Sequence, residues 1–352
     1  MLCYTFVYEI LIQASKPFFL YIGELRRRGI EKSIKRNKLA KRVYIGLVIL
    51  ILTAAAAMVF ITGRIVFNST SQFVSNDEAY FESTMEYFKE RGFDYDGLLE
   101  TYNVEKAELI SSYDGHTIPA ELIYADSKNN DTVILIHGLG GNRIEILPFA
   151  SIFLEYGYNV LTYDQRSAGE NYAPYTTLGY LESYDTADTV AYLDGIIDPD
   201  NKIHIWGTSA GAATAGMAVS RGIVEERVSS LILDCPISSN DDIARLNMNG
   251  MNIGIPLDFL MFSSDIYYKL TLEFFYSRAS AEECLKNSTL PVLILASKSD
   301  ETAPFFMAEK IHAAASDSTL VFVEDSSHGR LFRDYPEWYE EQILLFLDSQ
   351  SN

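Results

Sequence analysis

A serine flanked by glycines two residues to either side, Gly207-Thr208-Ser209-Ala210-Gly211, follows the apolar run Ile203-His204-Ile205-Trp206 and precedes a small-residue stretch from Ala212 to Arg221. Read as strand, turn and helix, this setting holds the serine in a strained conformation, and the glycines let strand and helix approach closely enough to expose its hydroxyl. Ser209 is therefore a candidate nucleophile. The same turn points the Ala210 amide at a reacting carbonyl, where a tetrahedral intermediate gathers negative charge on oxygen. The G-x-S-x-G pattern alone recurs by chance in about one chain in ten of this length, so its weight comes from its place between strand and helix.

Three further parts follow the ends of expected strands. The buried-type run Thr132-Val133-Ile134-Leu135-Ile136 opens into His137-Gly138-Leu139-Gly140-Gly141, a turn able to supply a second oxyanion donor through the Leu139 amide. His137 precedes the serine and reads as a turn-orienting residue. The run Pro291-Val292-Leu293-Ile294-Leu295-Ala296 ends in Ser297-Lys298-Ser299-Asp300-Glu301, which offers Asp300 as an acid, Glu301 as its competitor, and Lys298 as a cation able to pair with either. A strand over 319–323 leads to Asp325-Ser326-Ser327-His328-Gly329-Arg330, and His328 is the candidate base. In such an arrangement the acid holds the imidazole in the useful tautomer and stabilises its protonated form.

The chain has five histidines. His116 falls in the turn Asp114-Gly115-His116, His204 alternates within a strand and His312 belongs to a helix, so these three read as structural. No H-E-x-x-H and no paired Cys/His spacing occurs. The expectation is a site without metal or cofactor.

With these motifs in serine, acid, histidine order, residues 104–350 resemble an α/β-hydrolase of the serine-esterase and serine-aminopeptidase-like group, and within it membrane-anchored and bacterial members with a short cap. The stretch Tyr156-Gly157-Tyr158-Asn159-Val160-Leu161-Thr162-Tyr163-Asp164-Gln165-Arg166-Ser167-Ala168-Gly169-Glu170 is similar to the G-Y-x-V-x-x-x-D-x-R-x-x-G signature of that group. The group usually has glycine where this chain has Ser167, and serine where it has Asn171, so the local turn is a point of departure.

The elements that must position these residues read as one doubly wound, mostly parallel sheet. Residues 104–112 and 117–124 form an antiparallel hairpin turning at Asp114-Gly115. Strands at 132–136, 159–163, 203–206 and 229–234 then alternate with helices at 143–155, 182–195 and 210–221. The last units are strand 291–296, helix 305–315, strand 319–323 and helix 335–348. Such alternation implies a sheet covered on both faces, with ligands bound at the carboxyl ends of the strands, where every candidate residue lies.

One segment breaks the alternation. Residues 236–287 are too long for a simple crossover and are rich in aromatics and methionine, among them Met248, Met251, Phe259, Met261, Phe262, Tyr267, Tyr268, Phe274, Phe275 and Tyr276. They read as a small helical cap inserted after the sixth strand. The aromatics either line an acyl pocket or hold the cap to the body.

The front of the chain speaks to location. The uncharged twenty-residue run VYIGLVILILTAAAAMVFIT opens at Val43 and closes at Thr62. At 1.5 Å per residue it spans about 30 Å, the thickness of a bilayer's hydrocarbon core. Before it lie Arg26, Arg27, Arg28, Lys32, Lys35, Arg36, Lys38, Lys41 and Arg42, which place that side in the cytoplasm and the catalytic domain outside a cell membrane. A cleavable signal peptide is the alternative, against which the length of the leading segment argues. Residues 1–63 carry ten Lys and Arg against three Asp and Glu, a net of +7; the remainder carries eighteen against forty-five, a net of −27, giving the overall −20. An outward domain this acidic stays soluble, does not adhere to anionic lipid, and excludes nucleic acid as a partner.

The organisation expected is a basic cytoplasmic segment over 1–42, a membrane helix over 43–62, a polar connector with a short helix over 63–103, and the hydrolase domain over 104–352. Residues 1–22 are apolar but interrupted by Glu9, Gln13 and Lys16, and either lie in the membrane interface, remain disordered or add a second span. Cys3 falls across the membrane from Cys235 and Cys284, which are either free buried thiols or one pair flanking the cap. The sequons at Asn68, Asn130 and Asn287 are acceptors only in a host that glycosylates.

The function expected is acyl transfer to water. Ser209 attacks a carbonyl of a small-molecule or lipid acyl substrate, His328 relays the proton, Asp300 orients it, and the Leu139 and Ala210 amides hold the oxyanion. Esters are favoured over peptides because nothing marks a site for a free amino terminus. A peptidase, an acyltransferase of the same fold and a catalytically silent surface domain are the alternatives, and the sequence leaves oligomeric state open.

Overall fold

The computed structural model describes residues 38–71, 92–125, 130–249 and 254–350, with scattered positions between 82 and 89. Most of the basic segment, residues 1–22 and Cys3 with it, together with Met251 and much of the connector, lies outside the described residues.

Eight strands make one sheet: β1 (Asn103–Ile110), β2 (Thr117–Tyr124), β3 (Thr132–Ile136), β4 (Asn159–Tyr163), β5 (Ile203–Thr208), β6 (Val228–Asp234), β7 (Val292–Ser297) and β8 (Ser318–Val323). Their order across the sheet is β1-β2-β4-β3-β5-β6-β7-β8. The β1–β2 and β2–β4 pairs are antiparallel and the others parallel. The chain's winding reverses beside β3, which pairs with β4 on one side and β5 on the other. That reversal opens a crevice at the strands' carboxyl ends.

The central strands are continuous apolar runs because both faces are covered. On one face, Ile134 and Ile136 of β3 pack in a cluster with helices α4 (Glu182–Asp194), α5 (Ala210–Ala218) and α10 (Phe305–Ala314). On the other, the intervening Val133 and Leu135 pack with α3 (Leu147–Glu155) and α12 (Pro336–Ser349). This is the two-residue side-chain period of a strand, with each set of side chains feeding a separate core.

Helix α3 begins four residues later than its apolar pattern suggests. The Asn142 side-chain carbonyl accepts the N–H groups of Ile144 and Glu145, each at 2.8 Å, and this local bonding competes with the first helical turn. Helix α5 likewise stops at Ala218, where the Ser220 hydroxyl bonds back to the Met217 carbonyl at 2.7 Å.

The cap expected between 236 and 287 contains α7 (Asn240–Asn249), α8 (Leu257–Leu272), a 3-10 turn at Tyr276–Arg278 and α9 (Ala281–Leu285). Several of its aromatics pack inward. Met261, Tyr268, Phe274 and Tyr276 are buried in one cluster with Phe67, Leu181 and Ala244, and Phe274 stacks on Tyr180 with centroids 4.0 Å apart. Cys235 and Cys284 are both free thiols.

Helix α1 (Lys38–Thr70) is long and apolar enough to cross a membrane, and its hydrophobic side chains between Val43 and Ile61 are mostly exposed. It does not end with the apolar run. Residues 63–70, expected within a polar connector, continue the same helix, with the Ser69 and Thr70 hydroxyls turned back on the Val66 carbonyl at 2.8 and 2.9 Å. A short helix α2 (Tyr95–Thr101), capped by the Asp94 carboxylate on the Gly97 N–H at 2.9 Å, precedes β1. Among the described residues, further short helices are α6 (Gly222–Arg227) and α11 (Leu331–Asp334).

Candidate active site

Ser209 stands between β5 and α5 with φ 57° and ψ −117°, outside the regions that L-residues populate readily. The turn is forced by contact on both sides. A Cβ on Gly207 would collide with the Gly211 carbonyl, and one on Gly211 with the carbonyls of Ile136 and His137. The Ser209 N–H donates to the Asp234 carbonyl at 2.8 Å, so the neighbouring strand pins the elbow from below.

His328 reaches this serine from the loop after β8. Its Nε2 lies 2.8 Å from Ser209 Oγ and its Nδ1 lies 2.7 Å from Asp300 Oδ2. Asp300 comes from the loop after β7 and is buried, with its other oxygen accepting the N–H groups of Thr302 and Ala303, each at 2.8 Å. Glu301 points to solvent, and Lys298 pairs with Glu324 at 2.6 Å instead of either competitor. The tertiary fold therefore brings Ser209, His328 and Asp300 into one hydrogen-bonded chain and leaves Glu301 outside it.

Burial disfavours the imidazolium, but the Asp300 hydrogen bond and the adjoining Cys235 outweigh it and hold the His328 pKa above the ordinary histidine value. Such an arrangement can take a proton from Ser209 and retain it as charge develops on an acyl oxygen.

The other histidines are occupied elsewhere. His137 is buried, receives the Gln165 N–H on Nε2 at 3.0 Å and contacts the Gly138 carbonyl through Nδ1 at 2.8 Å, so it fixes the turn that carries Leu139. His116 joins Asp114, Arg166 and Asp185; His204 bonds Ser230 inside the sheet, and burial lowers its pKa to about 4; His312 bonds Ser318 at the surface.

Leu139 and Ala210 meet at the same place. A Cβ on Gly138 would stand 3.4 Å from Ser209 Cβ, which brings the Leu139 turn against the nucleophile. Ala210 is the first residue of α5, where helix N–H groups lack intrahelical partners and the helix dipole favours negative charge. Leu139 and Ala210 line a narrow cavity with Gln165, Thr176, Leu178 and Gly179.

Several residues around the site carry no sequence motif of their own. Gln165 accepts the Thr214 hydroxyl at 2.7 Å and also bonds the His137 carbonyl, tying α5 to the Leu139 turn. Glu182 is buried and accepts from the Thr176 hydroxyl at 2.9 Å, the Thr177 N–H at 2.8 Å and the Gly179 N–H at 3.0 Å. That network fixes a loop in which Leu178 has a left-handed φ of 53°. Asp234 lies under the elbow, fully buried, with the Thr208 hydroxyl 3.2 Å from Oδ2 and no hydrogen-bond partner for Oδ1 among the described residues. Burial raises its pKa to about 7. The next residue, Cys235, has a φ of 40°, and its Sγ clusters with ligand atoms of His328 and Asp300 within 4.8 Å.

At the point of departure in the Asp164-Gln165-Arg166 stretch, Ser167 has a φ of 59°. The serine thus adopts the left-handed conformation that glycine accommodates more easily, and the turn survives. Arg143 is bound by Asp164 and Glu170, and Arg166 by Asp114 and Asp185, so both guanidinium groups are structural ties.

Compared with known proteins, residues 131–282 match the family model described as the alpha/beta hydrolase fold. The chain is 25% identical over 223 residues to an uncharacterized protein, YqkD, of Bacillus subtilis, covering 63% of this chain and 72% of that protein. It is 25% identical over 238 residues to a Rattus norvegicus protein named lysophosphatidylserine lipase ABHD12, covering 62% of this chain and 54% of the relative, and so spans about half of that relative's length. Among solved structures it resembles the esterase Pf2001 of Pyrococcus furiosus, with a TM-score of 0.57 at 21% identity over 73% of this chain and 95% of that one. It also resembles Est1E of Butyrivibrio proteoclasticus with ferulic acid bound, with a TM-score of 0.53 at 18% identity over 69% of this chain and 98% of that one.

Proposed function

Since the chain has the α/β-hydrolase fold, we propose that it is a membrane-anchored serine hydrolase that cleaves carboxylic esters through Ser209, His328 and Asp300. The observation that carries this reading is the run of contacts at 2.8 and 2.7 Å from Ser209 Oγ through the imidazole to Asp300.

Ser209 Oγ forms a bond to the acyl carbon while its proton passes to His328 Nε2. Asp300 stays ionised and stabilises the imidazolium, and the Leu139 and Ala210 amides meet the oxyanion. Collapse breaks the carbon–oxygen bond to the leaving group, and the imidazolium returns its proton to the departing alkoxide. Water then gives a proton to His328 as its oxygen adds to the acyl-enzyme. A second collapse releases the acid and restores the Ser209 hydroxyl.

Ester is the favoured bond because no feature among the described residues marks a site for a substrate's amino terminus. The relative named as a lipase and the neighbours named as esterases support the same class. The apolar helix α1 supports anchoring, and the basic residues before it support a cytoplasmic amino terminus with the acidic domain facing outward.

The test is labelling of the intact protein and its Ser209→Ala variant with a fluorophosphonate, followed by turnover of p-nitrophenyl esters of increasing chain length. Labelling that requires Ser209, with ester turnover, supports the reading. Absence of labelling in folded protein overturns it in favour of a binding domain.

A further inference from the structure

Three cations converge on a cavity between the cap and the body, away from the reacting atoms, and we propose that this cavity is a second binding site that takes a small aryl phosphate monoester. Residues 64–352 hold eighteen Lys and Arg against forty-five Asp and Glu, and Arg143, Arg166, Arg227 and Arg245 each meet a carboxylate. Arg221 and Arg278 form no ion pair among the described residues, and both line one cavity of about 370 Å³ with Lys269.

Arg221 is half-buried and held in place. Its guanidinium carbon lies 3.5 Å from the centroid of the Tyr184 ring, and its Nε and Nη2 donate to the Ser183 hydroxyl at 3.1 and 2.8 Å. A charge drawn partly out of water without a counter-ion is costly, and an incoming anion relieves that cost. Lys269 reaches the cavity from α8, with its Nζ on the Glu273 carbonyl at 2.5 Å, and its neighbour Tyr268 is tied to Thr70 of the anchor helix at 2.7 Å. Arg278 closes the 3-10 turn; it is exposed, and its side chain makes no hydrogen bond among the described residues. Glu273 also lines the cavity, so the wall carries three cations against one carboxylate, a net of +2. The adjoining cavity of about 590 Å³, which Arg278 shares, brings Glu225 and Glu283, but both are engaged: Glu225 accepts from Ser288 and Thr289, at 2.7 and 2.8 Å, and Glu283 pairs with Lys286.

The charge count selects a dianion. A phosphate monoester carries nearly two negative charges at neutral pH and three acceptor oxygens, which suit two guanidinium forks and one ammonium. Remote carboxylates of the acidic domain do not cancel this attraction, because charges in water are screened over about 8 Å at physiological ionic strength. The apolar part of the ligand is set by the rest of the wall. Phe275 lines the cavity with 36% of its surface exposed, beside the stacked pair Tyr180 and Phe274, and a planar aromatic group gains cover against such rings. This is not the ester site: the cavity meets Met217 in the last turn of α5, whereas Ser209 precedes the first, a separation of about 12 Å at 1.5 Å per residue. A ligand held there bridges Arg221 of the body to Lys269 and Arg278 of the cap, and its binding does not depend on the serine-hydrolase reading.

The experiment titrates phenyl phosphate by calorimetry into the full chain carrying Ser209→Ala in nonionic detergent, with benzoate and benzyl alcohol as the monoanionic and neutral counterparts. Phenyl phosphate is expected to bind more tightly than benzoate, and benzyl alcohol to give no saturable heat. Arg278→Gln, at an exposed side chain, should weaken phenyl phosphate about tenfold, Lys269→Gln should do the same, and Glu273→Gln should tighten it. Lys298→Gln, which removes a cation paired with Glu324 elsewhere on the surface, should leave the affinity within about twofold. No saturable binding of phenyl phosphate, an affinity unmoved by Arg278→Gln, or an equal loss in Lys298→Gln overturns the inference, as does benzoate binding as tightly as the phosphate. Every variant lacks the Ser209 hydroxyl, so these outcomes leave the serine-hydrolase reading untouched.

Discussion

Cys235 Sγ lies within 4.8 Å of a His328 ring nitrogen, buried directly after the end of β6. The sulfur adds to Asp300 in raising the histidine's pKa above its ordinary value against the opposing effect of burial. A general base must be neutral to act, so kcat/KM should rise with pH and reach half its maximum above the ordinary histidine pKa of about 6.5. Cys235→Ala removes one of the raising contacts and should move that limb to lower pH. Profiles of kcat/KM for the two proteins check this; coincident limbs would deny the sulfur a role.

Asp300 and Glu301 are adjacent carboxylates with opposite surroundings. Asp300→Asn should lower kcat by about 10⁴-fold, because the amide favours the wrong imidazole tautomer and stabilises no positive charge. Glu301→Gln should leave kcat within about twofold, as expected of an exposed side chain away from the reacting atoms. Steady-state turnover of p-nitrophenyl butyrate separates the two; equal losses would unseat Asp300 as the orienting acid.

The elbow makes a packing prediction. Gly211→Ala places a methyl against backbone carbonyls of Ile136 and His137, which cannot move as a flexible side chain would. The expected cost is about 3 kcal/mol with loss of fluorophosphonate labelling. Gly222→Ala, where nothing lies within 4 Å of the added Cβ, should change stability by less than about 0.5 kcal/mol. Thermal unfolding of both variants checks the contrast.

Asp234 links stability to pH. Its folded pKa, raised by burial from 3.8 to about 7, exceeds the unfolded value, so the stability it contributes is full below about 4 and is lost as pH rises through about 7. Asp234→Asn stays neutral throughout. The Tm of the variant relative to wild type should therefore increase between pH 5 and pH 8, and a constant difference across that interval would show that the carboxyl does not titrate there.

The architecture was largely legible in the chain because it is written locally. Uninterrupted apolar strands separated by helices can be buried only in a sheet covered on both faces, and the glycines flanking Ser209 mark the close approach of β5 and α5 wherever the rest of the chain goes. The cap showed itself the same way, as a segment too long and too aromatic for a crossover. Boundaries were less legible where side chains compete with the backbone, as Asn142 does at the start of α3.

Other features belong to the tertiary structure alone. Neighbouring carboxylates have the same chemistry in a sequence, and only the path of the loop after β7 turns Asp300 inward and Glu301 to water. Asp234 and Cys235 read as the end of a strand until the loop after β8 folds His328 over them, and Glu182 reads as a helix residue until three neighbours donate to it. The docking of α1 on α8 joins residues about two hundred positions apart, such as Ser71 and Tyr268. Spacing along the chain reports periodicity and local turns; which distant side chains share a cavity depends on how the elements pack, and that is a property of the folded whole.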